Sequence, residues 1–586
     1  GGGIRLTHQE FDGRVTQIDA PAATSAHSTH VAGTIIGQGQ VNSAHGMANA
    51  ATLNAYDWDT DITEMTTAAS SGLTLSNHSY AWNRGWTLDG NWYWFGDVSI
   101  STTEDYLFGF YDENCEDLDI LANNAPSYLM IWAAANDRND NHTGGHYYWN
   151  GSAWTYSTAY RDPDGGADGY DCLPQNGCAK NVLTIGAVDD ITGGWTSPAD
   201  VVMSTFSSWG PTDDGRIKPD IVANGVGLYS TDDDADNDYT TMDGTSMAAP
   251  STTGTLALLQ DYYLSLRGGT MSATSIKGLV INTANEAGTS NGPDYQFGHG
   301  LLNATGAAEL ITADDAEGGL IVEGVIKDGQ NIYYRYYNDG TEDISVTLCW
   351  NDPAHAPITP ALNPTTATLV HDLDLYIIDP SSAYRYPWRL NPASPSSPAT
   401  NTSYNYRDNV ERTDIYSPAA GYYTILIDEF STLPAGGQSY SLIIKGLQTE
   451  PTLLTYCDAR STYKDEHIVN VTMGSINNNS GFSPGGYANY TGQIDEVSKG
   501  GSKTISVTIG DYFSTSDVTY AYLDWNHDGD FVDADLRGVR FSQTYMNNTN
   551  FSGADLSGAV FETCAFENTD FSGANLEGVK YDSIAL

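Results

Sequence analysis

Basic residues are scarce in this chain. Lysine and arginine number 24 among 586 residues against 74 aspartates and glutamates, a formal net charge of −50. Charged residues make up only 17% of the sequence, so the acidity comes from missing bases. A field of that sign repels phosphate and excludes nucleic acid as a partner. Long apolar runs are absent too. The densest, residues 128–135, has the length of a buried strand and falls short of the ~18 residues that read as a membrane-spanning helix. Of six cysteines, Cys115, Cys349, Cys457 and Cys564 stand singly with no metal-type spacing. Only Cys172 and Cys178 enclose a short loop, and they are the one candidate disulfide. No methionine or charged-then-apolar leader opens the chain at Gly1-Gly2-Gly3-Ile4, so any signal peptide or pro-segment is expected to lie outside these residues.

What is present is ample material for cores. Hydrophobic residues are 40% of the chain, with 13 Trp, 38 Tyr and 15 Phe, which excludes wholesale disorder. At ~150 residues per domain the length predicts three or four domains. Little lysine beside a strong acidic bias suits a secreted or extracellular protein kept soluble in salt. Residues 1–312 alternate short apolar runs with helix-like stretches, the pattern of an α/β domain with a parallel sheet. The runs at 128–135 and 181–188 read as buried strands. Residues 245–266 read as a long helix, with Pro250 in its first turns and Gly268-Gly269 at its end. From 313 to 448 the period changes to two, which predicts an antiparallel β-sandwich. A second small β module is expected over 449–533.

The tail, 534–586, repeats every five residues. Leu536, Phe541, Met546, Phe551, Leu556, Phe561, Phe566, Phe571, Leu576 and Tyr581 hold one register, and a small residue stands two positions before each, from Ala534 to Val579. Large and small side chains in fixed alternation suit a narrow solenoid. This resembles the pentapeptide-repeat family, which implies a right-handed quadrilateral β-helix with four pentapeptides to a coil.

Three separated segments carry chemistry. His27 opens the small-residue stretch Ala26-His27-Ser28-Thr29-His30-Val31-Ala32-Gly33-Thr34. Asn136 ends a buried strand after Ala133-Ala134-Ala135, and Ser246 begins a helix in Gly244-Thr245-Ser246-Met247-Ala248-Ala249-Pro250. A serine hydroxyl becomes a nucleophile when an imidazole can take its proton. A helix N-terminus supplies backbone donors and positive dipole where an oxyanion develops, and an Asn amide can supply a second donor. Taken singly, each has a plain structural reading: a core histidine, a turn residue, a helix cap.

Together, in that order and on those elements, they resemble the subtilisin-like serine peptidases, or subtilases, over roughly residues 1–312. The resemblance implies Ser246 as nucleophile, His27 as general base and then acid, and Asn136 as oxyanion donor beside the Ser246 amide. It gives His30 a structural role. It also implies that Ser79, Tyr80 and Ala81 on one side and Ala133, Ala134 and Ala135 on the other flank an extended substrate backbone. The family's triad Asp, which ends a first strand well upstream of the His, has no counterpart. Asp12 and Asp19 are the nearest acids, both in turn-like contexts. The resemblance therefore implies a catalytic domain truncated before Gly1, short of its first strand and of the Asp, and nearly inactive as written.

The remaining modules resemble accessories of secreted bacterial proteins: a β-sandwich at 313–448, with Asp372 and Asp374 as possible calcium ligands, and a GEVED-like module at 449–533. In the latter, Asp524, Asn526, Asp528, Asp530 and, at its end, Asp535 follow the alternate spacing of a calcium loop with Gly529 at the sharp turn. The expectation is a secreted or extracellular bacterial serine endopeptidase acting on protein or peptide substrates, with structural calcium, no nucleic-acid partner, no membrane span and an open oligomeric state. The alternative is a non-catalytic extracellular binding protein on a degenerate subtilase scaffold. An acidic duplex-mimicking role for the tail is disfavoured by its thin charge, seven acids against three bases.

Overall fold

The computed structural model describes residues 2–454, 467–473, 476–479, 505–510, 540–542, 551, 553–562 and 571–582. Up to Glu317 the chain builds an α/β unit on parallel strands. β1 (Val15–Gln17) pairs with β2 (Leu53–Ala55). A separate sheet carries β3 (Leu75–His78), β4 (Leu129–Ala133), β5 (Leu183–Val188) and β6 (Ile221–Asn224) in the order β6-β5-β4-β3. Every residue of β4 and β5 is buried, as their continuous apolar runs require, because helices cover both faces. On one face lie α4 (Thr245–Arg267), α5 (Ala273–Thr283) and α6 (Ala304–Glu317), whose Leu256, Leu279 and Leu310 meet Leu129, Ile131 and Ile185. On the other, Leu118 and Leu121 of α3 (Glu113–Asn124) join Met130 and Trp132. Each such side chain contributes ~1.5–3 kcal/mol by leaving water. α4 ends as expected at Gly268, in the left-handed conformation.

Between β2 and β3 lies a cavity of about 880 Å³. Its lining includes Leu53, Asn54 and Ala55 of β2, Leu75 and Asn77 of β3, Val31 and Ile35 of α1 (Ala26–Ile36) and Met65 of α2 (Asp61–Ser70). In a parallel ladder, alternate residues turn their backbone polar groups to the same neighbour. Leu53 N–H donates to the Arg14 carbonyl and Ile18 N–H to the Ala55 carbonyl, so Asn54 turns away from β1. Leu129 N–H donates to the Thr74 carbonyl, so Leu75 and Asn77 turn away from β4. Among the described residues these two strand edges are unpaired, and they border the cavity.

α6 runs past position 312, and the break to the next region comes at Gly318-Gly319, both at positive φ. Beyond it are two antiparallel sheets. One holds Ile321–Ile326, Gln438–Lys445, Ile344–Cys349 and Val410–Ile415; the other holds Tyr384–Arg385, Leu373–Ile378, Gly421–Glu429, Ile332–Asn338 and Gln448–Leu454. Leu348, Leu442, Leu375 and Ile425 from these strands share one core with Ile276 and Val280 of α5, so the two regions are packed as a continuous interior.

Further on, His467–Met473 pairs antiparallel with Ile476–Asn479 and Ile505–Gly510. Asp524, Asn526, Asp528, Asp530 and Asp535 lie outside the described residues. In the tail, Arg540–Ser542, Val560–Glu562 and Lys580–Asp582 pair in parallel, Phe541 opposite Phe561 and Phe561 opposite Tyr581, an advance of 20 residues or four pentapeptides. Phe551 stacks on Phe571 with ring centroids 5.2 Å apart.

The Cys172–Cys178 disulfide does not form. Both are free and fully buried, Cys172 Sγ donating to the Gly169 and Trp209 carbonyls and Cys178 Sγ to those of Leu173 and Pro174. The single-turn helix Gln175–Cys178 sends Cys178 into the α3 side of the core while Cys172 also accepts from Trp209 N–H, so the two thiols serve different neighbours.

Candidate active site

Ser246 is the second residue of α4 and sits at its N-terminal end. Its position is set by a long-range exchange with Ser79, which follows β3. Ser246 Oγ donates to the Ser79 carbonyl at 3.3 Å, and Ser79 Oγ donates to the Ser246 carbonyl at 3.0 Å. The second bond has a specific origin. Pro250 is the sixth residue of the helix, beyond the positions whose N–H would be spare, and it cannot supply the donor that Ser246 C=O expects four residues on. The Ser79 hydroxyl fills that vacancy. Ser79→Ala is expected to strand the carbonyl and cost about 1–3 kcal/mol of stability, readable as a lowered urea midpoint.

Asn136 lies just past β4, after Ala135 at φ +72°. Its Oδ1 accepts from both the N–H and the hydroxyl of Thr245, each at 2.9 Å. That double bond fixes the amide orientation and leaves Nδ2 as its free end beside Gly244. Among the described residues neither this Nδ2 nor the Ser246 N–H has a protein acceptor. Two donors therefore stand together at a helix N-terminus, where the dipole favours negative charge.

His27 is the second residue of α1, whose cap is Ser25 accepting from Ser28 N–H. Its ring opens onto the cavity between β2 and β3 and has no protein hydrogen-bond partner among the described residues. His27 is exposed, and the protein around it lowers its pKa first by desolvation, favouring the neutral form that can accept a proton. The structure does not join it to Ser246, whose hydroxyl is turned to Ser79 instead. What ties the two helices is the hairpin of Leu228–Thr231 and Tyr239–Met242 just before Ser246. Ser230 and Thr231 hydroxyls donate to the His30 and Thr29 carbonyls of α1, and His30 Nε2 pairs with the Leu228 carbonyl. Gly33 makes this approach possible, since a Cβ there would lie 2.3 Å from Thr231 Oγ1.

Ser79, Tyr80 and Ala81 continue β3 beside Ser246, with the Tyr80 carbonyl taken by Trp132 Nε1 and its hydroxyl donating to Asp61. Ala133 and Ala134 are buried inside the sheet, Ala134 N–H donating to Ile185 and the Ala135 carbonyl accepting from Ser208. Asp12 is exposed at φ +44°, and Asp19 is used by Asp57 N–H. Neither acid bonds His27. Sequence reasoning did not find Thr245 and Ser79 as positioning residues; the Pro250 vacancy was the one signal that a donor had to come from elsewhere. In the β-rich region Asp372 Oδ1 and Glu411 Oε1 are buried without partners, and burial first lifts Asp372 to about 6 and Asp374 to about 7. No described helix is long and apolar enough to cross a membrane.

The chain is 27% identical over 282 residues to the serine protease/ABC transporter B family protein tagA of Dictyostelium discoideum, covering 42% of this chain and 15% of that protein. A 61-residue stretch, 10% of this chain, is 51% identical to C5a peptidase of Streptococcus pyogenes and covers 5% of it. The chain thus spans a small part of these relatives' length. A solved structure of patellamide maturation protease PatA aligns with a TM-score of 0.37 at 22% identity, covering 53% of this chain and 94% of that one. Pentapeptide repeats match in 8 copies over residues 530–564 and 544–580. The subtilase family model matches residues 6–300, half of the chain, and this protein belongs to the subtilase family.

Proposed function

We propose that this chain is the body of a secreted bacterial serine endopeptidase that cleaves peptide bonds through an acyl-enzyme. Ser246 Oγ attacks the scissile carbonyl, His27 takes the hydroxyl proton and returns it to the leaving amine, and water then releases the acid from Ser246. Asn136 Nδ2 and the Ser246 N–H receive the oxyanion. The observation that carries this reading is the pinning of Asn136 Oδ1 by Thr245, which leaves two unused donors facing one spot beside the serine. Extended substrate is read as running along Ser79–Ala81, with Ala133–Ala135 behind it.

The reading includes a strand that the described residues do not supply, lying between β2 and β3 and bringing a carboxylate to His27. The cavity supports it, being bordered by two open parallel edges and roofed by apolar helix faces with His27 on its wall. Without that carboxylate the His27 tautomer and aim are unset, and turnover is nearly lost. The β-rich region is read as a β-sandwich, residues 449–533 as a GEVED-like module, the tail as a four-sided right-handed coil, and calcium as a structural ion in the modules.

A fluorophosphonate probe tests the core of this. Slow labelling is expected at Ser246, traced by peptide mapping, and Ser246→Ala removes it. Labelling equal in the two proteins favours the binding-scaffold alternative.

A further inference from the structure

Asp213 is only 9% exposed, and neither of its carboxylate oxygens has a hydrogen-bond partner. Oδ1 of Asp171 is buried and unpartnered as well. The two converge on one point. A methyl group placed on Gly109 would lie 2.5 Å from Asp171 Oδ1 and 3.1 Å from Asp213 Oδ1. Gly109, at φ +72°, leaves that point clear, and its loop is fastened there: its N–H donates to the Leu173 carbonyl and its carbonyl accepts from Asp213 N–H.

The neighbouring Asp214 is fully occupied, by Arg216 Nε at 2.9 Å and by the Thr212 and Thr368 hydroxyls at 2.6 Å. Burial first and the nearby Asp171 second push the Asp213 carboxyl up to about 10, with Asp214 and Glu104 adding to the rise and Arg216 opposing it. Asp171 is raised well above its usual range by burial and by Glu104. Two such carboxylates are tolerated side by side only with a proton or a cation between them.

We propose that Asp171 and Asp213 bind a calcium ion between their carboxylates, beside Gly109. The two side chains offer oxygen only, and Cys172 Sγ, next in sequence to Asp171, is already given to carbonyls. Calcium accepts carboxylate oxygens at 2.3–2.6 Å in irregular sets, where magnesium demands a near-ideal octahedron. The ion would staple three segments: the loop at Gly109, the segment entering Leu173, and the turn from Thr212 to Arg216 that carries Asp214 to Thr368 in the β-rich region. This inference stands apart from the peptidase reading.

The test uses the full chain at pH 8, stripped with EDTA and then titrated with calcium. Wild type is expected to bind one calcium more per chain than the double variant Asp171→Asn, Asp213→Asn, and to gain more in Tm as calcium is added. The variant, with no charge to neutralise, is expected to be the more stable of the two in EDTA. Equal calcium stoichiometry, or equal Tm gains in both, overturns the proposal. So does the proton-sharing outcome. There the raised Asp213 pKa makes stability present at low pH and lost as pH rises from the ordinary carboxylate range toward about 10, with calcium leaving that loss unchanged. If the variant fails to fold, terbium on wild type decides: luminescence sensitised through Tyr111, which lines the same recess as Gly109 and Asp213, should appear and be displaced by calcium, and its absence counts against the site.

Discussion

Extending the chain at its N-terminus by a six-residue apolar strand that ends in Asp is expected to raise the rate at which Ser246 reacts with a fluorophosphonate by roughly 10⁴, the scale of the loss when a triad Asp is disabled. The open edges at Asn54 on β2 and at Leu75 and Asn77 on β3 offer such a strand hydrogen bonds on both sides. Val31, Ile35 and Met65 offer its side chains cover. Each apolar residue seated there adds ~1.5–3 kcal/mol, so the same extension should raise Tm. The rate gain comes from a separate source. A carboxylate beside His27 would hold one ring nitrogen protonated and turn the other toward Ser246, replacing the present bond from Ser246 Oγ to the Ser79 carbonyl. A matched extension ending in Asn fills the slot without that charge, and it should raise Tm while leaving the labelling rate low. If the Asp strand stabilised the chain but did not speed labelling, His27 would not be the base. If neither strand raised Tm, the cavity would not be a strand site.

Replacing Lys180 with methionine is expected to destabilise the chain by about 3–5 kcal/mol, because it leaves a buried carboxylate without its counter-charge. Lys180 and Asp352 are fully buried and 2.5 Å apart, and Lys180 Nζ also donates to the Thr368 carbonyl at 2.9 Å. Asn181 binds the same strand end, donating to the Asp352 carbonyl and accepting from Asp352 N–H. These residues lock the α/β unit to the β-rich region. Asp352 is additionally held by Val370 and His371 N–H, so Lys180→Met should unfold both regions in one transition at a lower denaturant midpoint. The double variant Lys180→Met, Asp352→Asn should lose less than the sum of the single variants, since the unpaired charge is gone. Additive losses would show that the pair does not act as a unit.

Much of the fold was legible because its signals are local. The apolar runs at 128–135 and 181–188 predicted β4 and β5, and the end of α4 at Gly268 followed from glycine's tolerance of positive φ. Period two between 313 and 448 predicted the β-rich region. The five-residue step in the tail anticipated the parallel pairing of Phe541, Phe561 and Tyr581. The Cys172–Cys178 pairing misled because spacing along the chain does not say which way a thiol points. Likewise the placing of Pro250 in the first turns of α4 did not reveal the bond it removes from Ser246.

By itself, then, the sequence singled out the residues proposed to carry the chemistry: Ser246 at a helix start, Asn136 after a buried strand, His27 opening a small-residue helix. Each follows from a neighbourhood of a few residues whose propensities and dipoles are local. Only the tertiary structure decided how they are held. Ser79 meets Ser246 across 167 positions, Thr245 meets Asn136 across 109, and Lys180 meets Asp352 across 172. The gap between β2 and β3 is of the same kind, since which strand edges stay open depends on pairings no local pattern encodes.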